Sequence, residues 1–130
     1  MILADTSAWV EYLRATGSSA DLQLTALLSR GDALATTDVA WMEVLAGARD
    51  KRHLTELRRL LALCDLLPVH GPEDYEDAAA LYRACRDGGE TVRALTDCLV
   101  AAVAIRNGVA VLHLDRDFEA LARHTPLQLA

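Results

Sequence analysis

The sequence predicts an α/β fold on a mostly parallel sheet, and three observations carry that prediction. Short apolar runs of strand length alternate with longer stretches of helical periodicity. No Asn-Gly or Asp-Gly pair lies between two strand-like runs, so no tight hairpin is signalled. The 130 residues are 52% hydrophobic and 25% charged, which suits one domain, residues 1–130, burying its own core.

The elements follow in order. Met1 to Ala4 is a short apolar run ending at Asp5, as a buried strand would. Ser7 to Ala15 reads as helix. Gly17, Ser18 and Ser19 interrupt it, and Ser18 or Ser19 can cap a second helix. Leu22, Leu24, Leu27 and Leu28 give that helix its apolar positions, and Gly31 its stop. Ala33 to Thr36 is a weaker strand. Asp38 is placed to cap a helix through Val39, Met42, Leu45 and Ala46. A basic amphipathic segment runs from Lys51 to Leu63, and Leu66 to His70 is strand-like. Pro72 suits the first turn of a helix from Glu73 to Arg86, which Gly88 and Gly89 end. Thr96 to Arg106 is the next helix, closed by Asn107 and Gly108. Val109 to Leu114 is the clearest strand. Phe118 to Arg123 is a last helix, and Leu127 to Leu129 a final edge strand.

Composition narrows the function. Aromatic residues make up 5% of the chain, too few for a platform on which single-stranded bases stack. The net charge of −6 argues against a basic DNA-binding module. A polyanionic ligand would need a local Arg patch or a metal ion. Cys64, Cys85 and Cys98 show no zinc spacing and lie in apolar stretches that read as helical, so they are expected as free thiols. No apolar run reaches membrane-spanning length, no basic leader precedes the first strand, and a cytoplasmic protein is expected.

The acidic residues are the informative feature. Asp5 and Asp115 each follow a strand, and ligand sites in open parallel sheets form beyond the carboxyl ends of strands. Glu43 shares a helical face with Val39 and Ala46, and Asp97 shares one with Val100, Ala101 and Ala104. Both are expected to point inward, and an inward carboxylate is costly unless paired or bound to metal. Each acid alone has a plainer role. Asp5 caps a helix, Asp97 favours a helix N-terminus, Glu43 meets Arg49, and Asp115 or Asp117 caps the last helix. Together they converge with few evident cations, since Lys51 is the only lysine. A divalent ion relieves that repulsion, and oxygen-only ligands favour Mg²⁺ or Mn²⁺ over Zn²⁺. Such a centre suits phosphodiester hydrolysis.

Four segments carry a resemblance to a known family. Ile2-Leu3-Ala4-Asp5-Thr6-Ser7-Ala8-Trp9 is similar to the opening of PIN-domain nucleases. Met42 to Gly47 resembles their second acidic motif, Thr96 to Ala104 the third, and His113 to Phe118 the fourth. The motifs span nearly the whole chain in the right order, and its small size resembles the toxin of VapBC toxin–antitoxin pairs. The resemblance implies a PIN-like three-layer α/β/α domain with a parallel sheet of about five strands. It implies a Mg²⁺-dependent endoribonuclease, with Mn²⁺ able to substitute, acting on structured RNA such as tRNA or rRNA loops. It further implies a homodimer and a VapB-like antitoxin that blocks the site. By position, Asp5, Glu43, Asp97 and Asp115 match the acidic quartet, with Asp117 as a further acid and Asp115 or Asp117 as the fourth ligand. The hydroxyl of Thr6 or Ser7 would orient Asp5. His113 departs from the small polar residue many members carry, and reads as a plain strand histidine. The basic stretch from Arg49 to Arg59 is either a solvated helix face or a contact for RNA or antitoxin.

Other acidic α/β folds fit less well. A phosphoacceptor receiver needs a lysine near the C-terminal end, and a haloacid-dehalogenase-type phosphatase needs an acid where Ser7 stands. A dinucleotide fold needs GxGxxG where the chain reads Asp-Thr-Ser. A non-toxic housekeeping nuclease and a PIN-like binding module without turnover remain the alternatives.

Overall fold

Four short strands pair in parallel in the order β3-β2-β1-β4: β1 (Ile2–Ala4), β2 (Leu34–Thr37), β3 (Asp65–Leu67) and β4 (Ala110–Leu112). The computed structural model describes all of residues 1–130. The chain moves outward from β1 through β2 to β3, then returns to place β4 on the other side of β1. That reversal opens a crevice beyond the carboxyl ends of β1 and β4. Asp5 and Asp115 follow those two strands.

Seven helices cover the sheet: α1 (Thr6–Arg14), α2 (Ser19–Arg30), α3 (Asp38–Ala46), α4 (Lys51–Leu61), α5 (Glu73–Asp87), α6 (Leu95–Asn107) and α7 (Arg116–His124). The period-2 alternation of the strands divides the core in two. Leu3, Ala35 and Val111 pack with α5, α6 and α7 through Cys85, Val100, Val103, Phe118 and Leu121. Ala4, Leu34 and Leu112 pack on the opposite face with α1, α2 and α4 through Trp9, Leu24, Leu57 and Leu61. The result is the expected three-layer α/β/α arrangement. Helix α3 serves both layers, giving Val39 to one cluster and Val44 to the other.

Several boundaries differ from the sequence reading, each for a local reason. The first helix begins one residue early, at Thr6, because Asp5 is its cap. Ser18, not Ser19, caps α2, and Gly31 ends it in the left-handed region at φ 66°. Thr37 rather than Asp38 caps α3, its hydroxyl accepting from the Ala40 N–H at 3.2 Å. Asp38 is thereby free to accept from the Val69 N–H at 2.8 Å, which pins the chain leaving β3. That strand stops at Leu67, since Pro68 has no N–H for a ladder. β4 is confined to Ala110–Leu112. Leu22 and Met42, expected inside, are exposed. Cys64 lies in the turn after α4 rather than in a helix, and all three cysteines are free. The sheet has four strands, not about five. The Leu127–Leu129 segment contributes one parallel bridge, Leu129 to Val111.

Candidate metal centre

Asp97, Asp115 and Asp117 each bring a carboxylate oxygen within 4.8 Å of the other two. Two helices deliver them. Asp97 is the third residue of α6. Asp115 caps α7, its Oδ1 accepting from the Asp117 N–H at 2.9 Å. Asp117 is buried in the first turn of the same helix. Both its oxygens are engaged by the loop before α6: Oδ1 accepts from the Arg93 N–H and Oδ2 from the Ala94 N–H, each at 3.1 Å.

Asp5 borders this trio and is 4% exposed. Its Oδ2 accepts from the Ser7 N–H at 2.9 Å and the Ser7 hydroxyl at 2.7 Å. The same hydroxyl oxygen accepts from the Leu114 N–H at 3.0 Å. Ser7 therefore ties the exits of β1 and β4 together. Thr6, the other candidate to orient Asp5, instead donates to Glu43 Oε1 at 3.1 Å. Glu43 is exposed, which corrects the expectation that it points inward. Helix α3 reads Asp-Val-Ala-Trp-Met-Glu-Val-Leu-Ala, so nearly every neighbour is apolar and periodicity does not single out a buried face. Glu43 is not one of the three clustered carboxylates; it is linked to α1 through Thr6 and lines a separate cleft beside Arg14 and Arg49.

The electrostatics are those of a site short of positive charge. Burial pushes the Asp97 carboxyl up to about 8, helped by hydrogen bonding to Asp117 and by the charges of Asp5, Asp115 and Asp117. Burial also raises Asp5, partly opposed by the Ser7 bonds and reinforced by Asp115. Burial alone would raise Asp117, but the Asp97 carboxyl and the N–H groups of Arg93 and Ala94 hold it below the usual carboxylate range. Asp117 is thus the anion of the pair and Asp97 carries the proton. Asp97 Oδ2 is fully enclosed and has no hydrogen-bond partner. An enclosed, unpartnered oxygen on a residue clustered with two further carboxylates fits a hard divalent ion, and the all-oxygen donor set agrees.

One neighbouring cation escaped the sequence reading. The Arg93 guanidinium stands 3.6 Å from Asp115 Oδ1 and 3.7 Å from Asp117 Oδ1. Arg93 lies 24 residues before Asp117, and only the docking of its loop on α7 joins them, so no local spacing announces the pair. His113 is half-buried just past β4, and its ring stacks at a tilt on Phe118, centroids 5.3 Å apart. Burial lowers its pKa, and its Nδ1 accepts from the Asp115 N–H at 3.0 Å. It steadies the loop carrying Asp115. The basic stretch divides. Arg49 and His53 line a cleft of about 320 Å³ between α1, α3 and α4, with Glu43, Arg14, Val10 and Leu13. Lys51, Arg52, Arg58 and Arg59 face solvent.

Comparison with known proteins agrees with this geometry. The family model described as PIN domain matches residues 2–124. VapC ribonuclease Mb1587 of Mycobacterium bovis is 50% identical over 131 residues, covering 100% of this chain and 98% of that protein. Ribonuclease VapC11 of Mycobacterium tuberculosis matches with the same figures. Among solved structures, VapBC2 from Rickettsia felis, bound to a DNA fragment from its promoter, superimposes with a TM-score of 0.77 at 17% identity, over 100% of this chain and 98% of that one. VapC20 of Mycobacterium tuberculosis, described as a Sarcin-Ricin loop cleaving toxin, gives a TM-score of 0.68 at 19% identity, covering 92% and 94%. These two structural likenesses concern the fold. The match along the whole chain makes this protein a member of the PIN-domain family and, within it, of the VapC ribonucleases.

Proposed function

We propose that residues 1–130 act as one PIN domain, a Mg²⁺-dependent endoribonuclease that serves as the toxin of a type II toxin–antitoxin pair. The observation that carries this reading is the enclosed, unpartnered Asp97 Oδ2 among the other carboxylates. Asp5, Asp97 and Asp115 would hold the ion, with Glu43 as a further acid and Asp117 as either a fourth ligand or the anchor of Asp97. Mg²⁺ fits the oxygen donors, and Mn²⁺ can replace it. When bound, such an ion lowers the pKa of an attacking water and offsets charge on the departing oxygen.

The chain's own residues supply the rest. Ser7 keeps the Asp5 carboxylate aimed through its two bonds to Oδ2. Asp97 must release its proton for the centre to load, so loading is favoured by rising pH. Thr6 holds Glu43 Oε1 and leaves Oε2 without a partner, so Glu43 would be the residue available to take up a proton if substrate binding brings it to the centre.

The substrate is structured RNA, in keeping with the name of VapC20, and tRNA or rRNA loops are the expected targets. The partner is a VapB-like antitoxin, as in the VapBC2 complex. The cleft between α1, α3 and α4, with an apolar floor and Arg14 and Arg49 at its edge, suits an amphipathic helix of that partner. A homodimer would cover the apolar patch of Tyr75, Ala79, Leu95 and Leu99, where Tyr75 is 59% and Leu95 61% exposed. No helix is long and apolar enough to cross a membrane, and we place the pair in the cytoplasm.

The test is cleavage of total RNA with end mapping. Cleavage is expected with Mn²⁺ or Mg²⁺ and none in EDTA. Asp97→Asn and Asp5→Asn should stay folded yet lose about 10²-fold or more in rate, the scale of a lost electrostatic catalytic contribution. Undiminished cleavage in EDTA overturns the metal mechanism.

A further inference from the structure

Arg93 is the one cation in ion-pair contact with the acidic cluster. Its side chain is 64% exposed, and neither guanidinium contact is a hydrogen bond, at 3.6 Å and 3.7 Å. The backbone at the same residue is firmly held, because its N–H and that of Ala94 bond Asp117. The side chain is thus anchored at its root and loosely held at its head. Arg93 also lines a shallow surface depression with Arg116 and Arg123, which Glu90 and Asp117 share. Arg123 is committed to Glu90 through two hydrogen bonds, at 3.0 and 2.6 Å, whereas Arg116 has no ion-pair partner. Arg93 therefore touches the acidic cluster and also lines a depression in which Glu90 is taken up by Arg123 and Arg116 is a cation without an ion-pair partner.

We propose that Arg93 is a mobile counter-cation: it neutralises Asp115 and Asp117 while the centre is empty, and passes to an RNA phosphate in the adjoining Arg116 depression when a divalent ion takes its place. The proposal rests on the metal-dependent RNase reading. The chemistry on both sides is the same, since a guanidinium binds carboxylate and phosphodiester oxygens alike. An incoming ion brings positive charge next to Arg93, which weakens its hold on the carboxylates and favours its departure. The loose contacts make that departure inexpensive, because exposed ion pairs contribute little to stability. Arg93 is then a positioning residue for substrate in the loaded protein and a competitor of the metal in the empty one.

The competition gives a readout independent of catalysis. Calorimetric titration of the full chain with Mn²⁺ alone, without RNA, is compared for wild type, Arg93→Gln and Arg93→Lys. Removing the competitor should tighten Mn²⁺ binding about 2- to 5-fold in Arg93→Gln, the range an exposed ion pair allows, with Arg93→Lys close to wild type. In the loaded enzyme, Arg93→Gln should raise KM for a short RNA several-fold and reduce the slope of log KM against log salt concentration by about one phosphate contact. Mn²⁺ affinity that is unchanged or weaker in Arg93→Gln overturns the counter-cation. An unchanged salt slope overturns the transfer to RNA, and loss of antitoxin capture in its stead assigns the depression to protein. If Gln disturbs the loop, Arg93→Ala preserves the backbone bonds to Asp117 and poses the same question. A wild-type protein that binds no Mn²⁺ and cuts no RNA fails the parent reading; one that does both while Arg93→Gln changes neither fails this inference alone.

Discussion

Asp97 stands in a conflict that either a proton or a cation resolves. Its carboxyl titrates at about 8 in the folded chain against 3.8 for the free group, so the native state holds a proton that the unfolded state has lost between those values. A raised carboxyl pKa makes stability fall as pH rises through that window, and it recovers only when a cation replaces the proton. Asp97→Asn should therefore stabilise the metal-free protein at pH 8 by about 1–3 kcal/mol, discounted for the side chain's partial exposure. A thermal melt in EDTA checks the sign. With Mn²⁺ present the order should reverse, since wild type gains binding energy that the variant lacks. A variant less stable than wild type in both conditions would mean that the carboxylate is a structural group. Asp97 was legible in the sequence because a carboxylate amid Val100, Ala101 and Ala104 is costly to keep unless something binds it. The outward pose of Glu43 was not, because α3 is apolar on nearly every side and Met42 beside it is also exposed.

At the level of elements, the site is an intersection of ends: β1, β4 and the first turns of α1, α6 and α7. The caps and the candidate ligands are in part the same groups, for Asp5 caps α1 and Asp115 caps α7. That overlap is why each acid, met singly in the sequence, reads as a cap. The two readings are compatible, since a carboxylate has oxygens enough for a backbone N–H and a cation. Ser7 joins two of these ends. Ser7→Ala removes the hydroxyl's bonds with Asp5 Oδ2 and the Leu114 N–H while its own N–H stays on Asp5, and should cost about 1–3 kcal/mol in urea unfolding together with a loss of rate. Thr6→Val breaks only an exposed bond to Glu43, so its rate should fall with little change in stability. Equal stability losses in the two would mean that Ser7 is not the joint. The edge strand was the weakest expectation at this scale. Leu127 to Leu129 has strand composition, but Pro126 precedes it and the chain leaves after one bridge.

Across the whole molecule, pH acts from two directions. Asp74 is fully buried against Arg106, with bonds of 2.9 Å and 2.8 Å, while the same guanidinium donates to the Pro68 carbonyl at 2.8 Å. Hydrogen bonding to Arg106 holds the Asp74 carboxyl below its usual 3.8. A depressed carboxyl pKa contributes stability above that value and loses it as pH falls through the folded pKa. Asp97 acts in the opposite sense between 3.8 and about 8. The metal-free protein should therefore be most stable at about pH 4, and Mn²⁺ should move that maximum upward, as a series of melts at fixed salt would record. Asp74→Asn leaves Arg106 uncompensated and should cost about 3–5 kcal/mol at neutral pH, with the acid limb flattened. A flat profile in EDTA would show that the cluster is already neutralised by the chain's own cations. The layered α/β plan was legible at this scale because alternation along Leu3-Ala4 and Val111-Leu112 assigns a face to each residue. The Asp74–Arg106 pair was not, since its partners lie 32 residues apart in polar-looking helix ends.

The single bridge at the C-terminus decides how this protein can be handled. Val111 donates its N–H to the Gln128 carbonyl at 3.0 Å and accepts from the Ala130 N–H at 2.9 Å, so the tail runs alongside β4 in the same direction. Ala130 consequently shares a surface depression with His113 and Asp115. A purification handle or fluorescent reporter fused after Ala130 would be delivered to the doorway of the acidic cluster. The same cargo placed before Met1 would leave from the opposite edge of the sheet, where β1 begins. The amino end is the position for labels and surface tethering. The carboxyl end is a place to install an artificial plug or a light-driven gate.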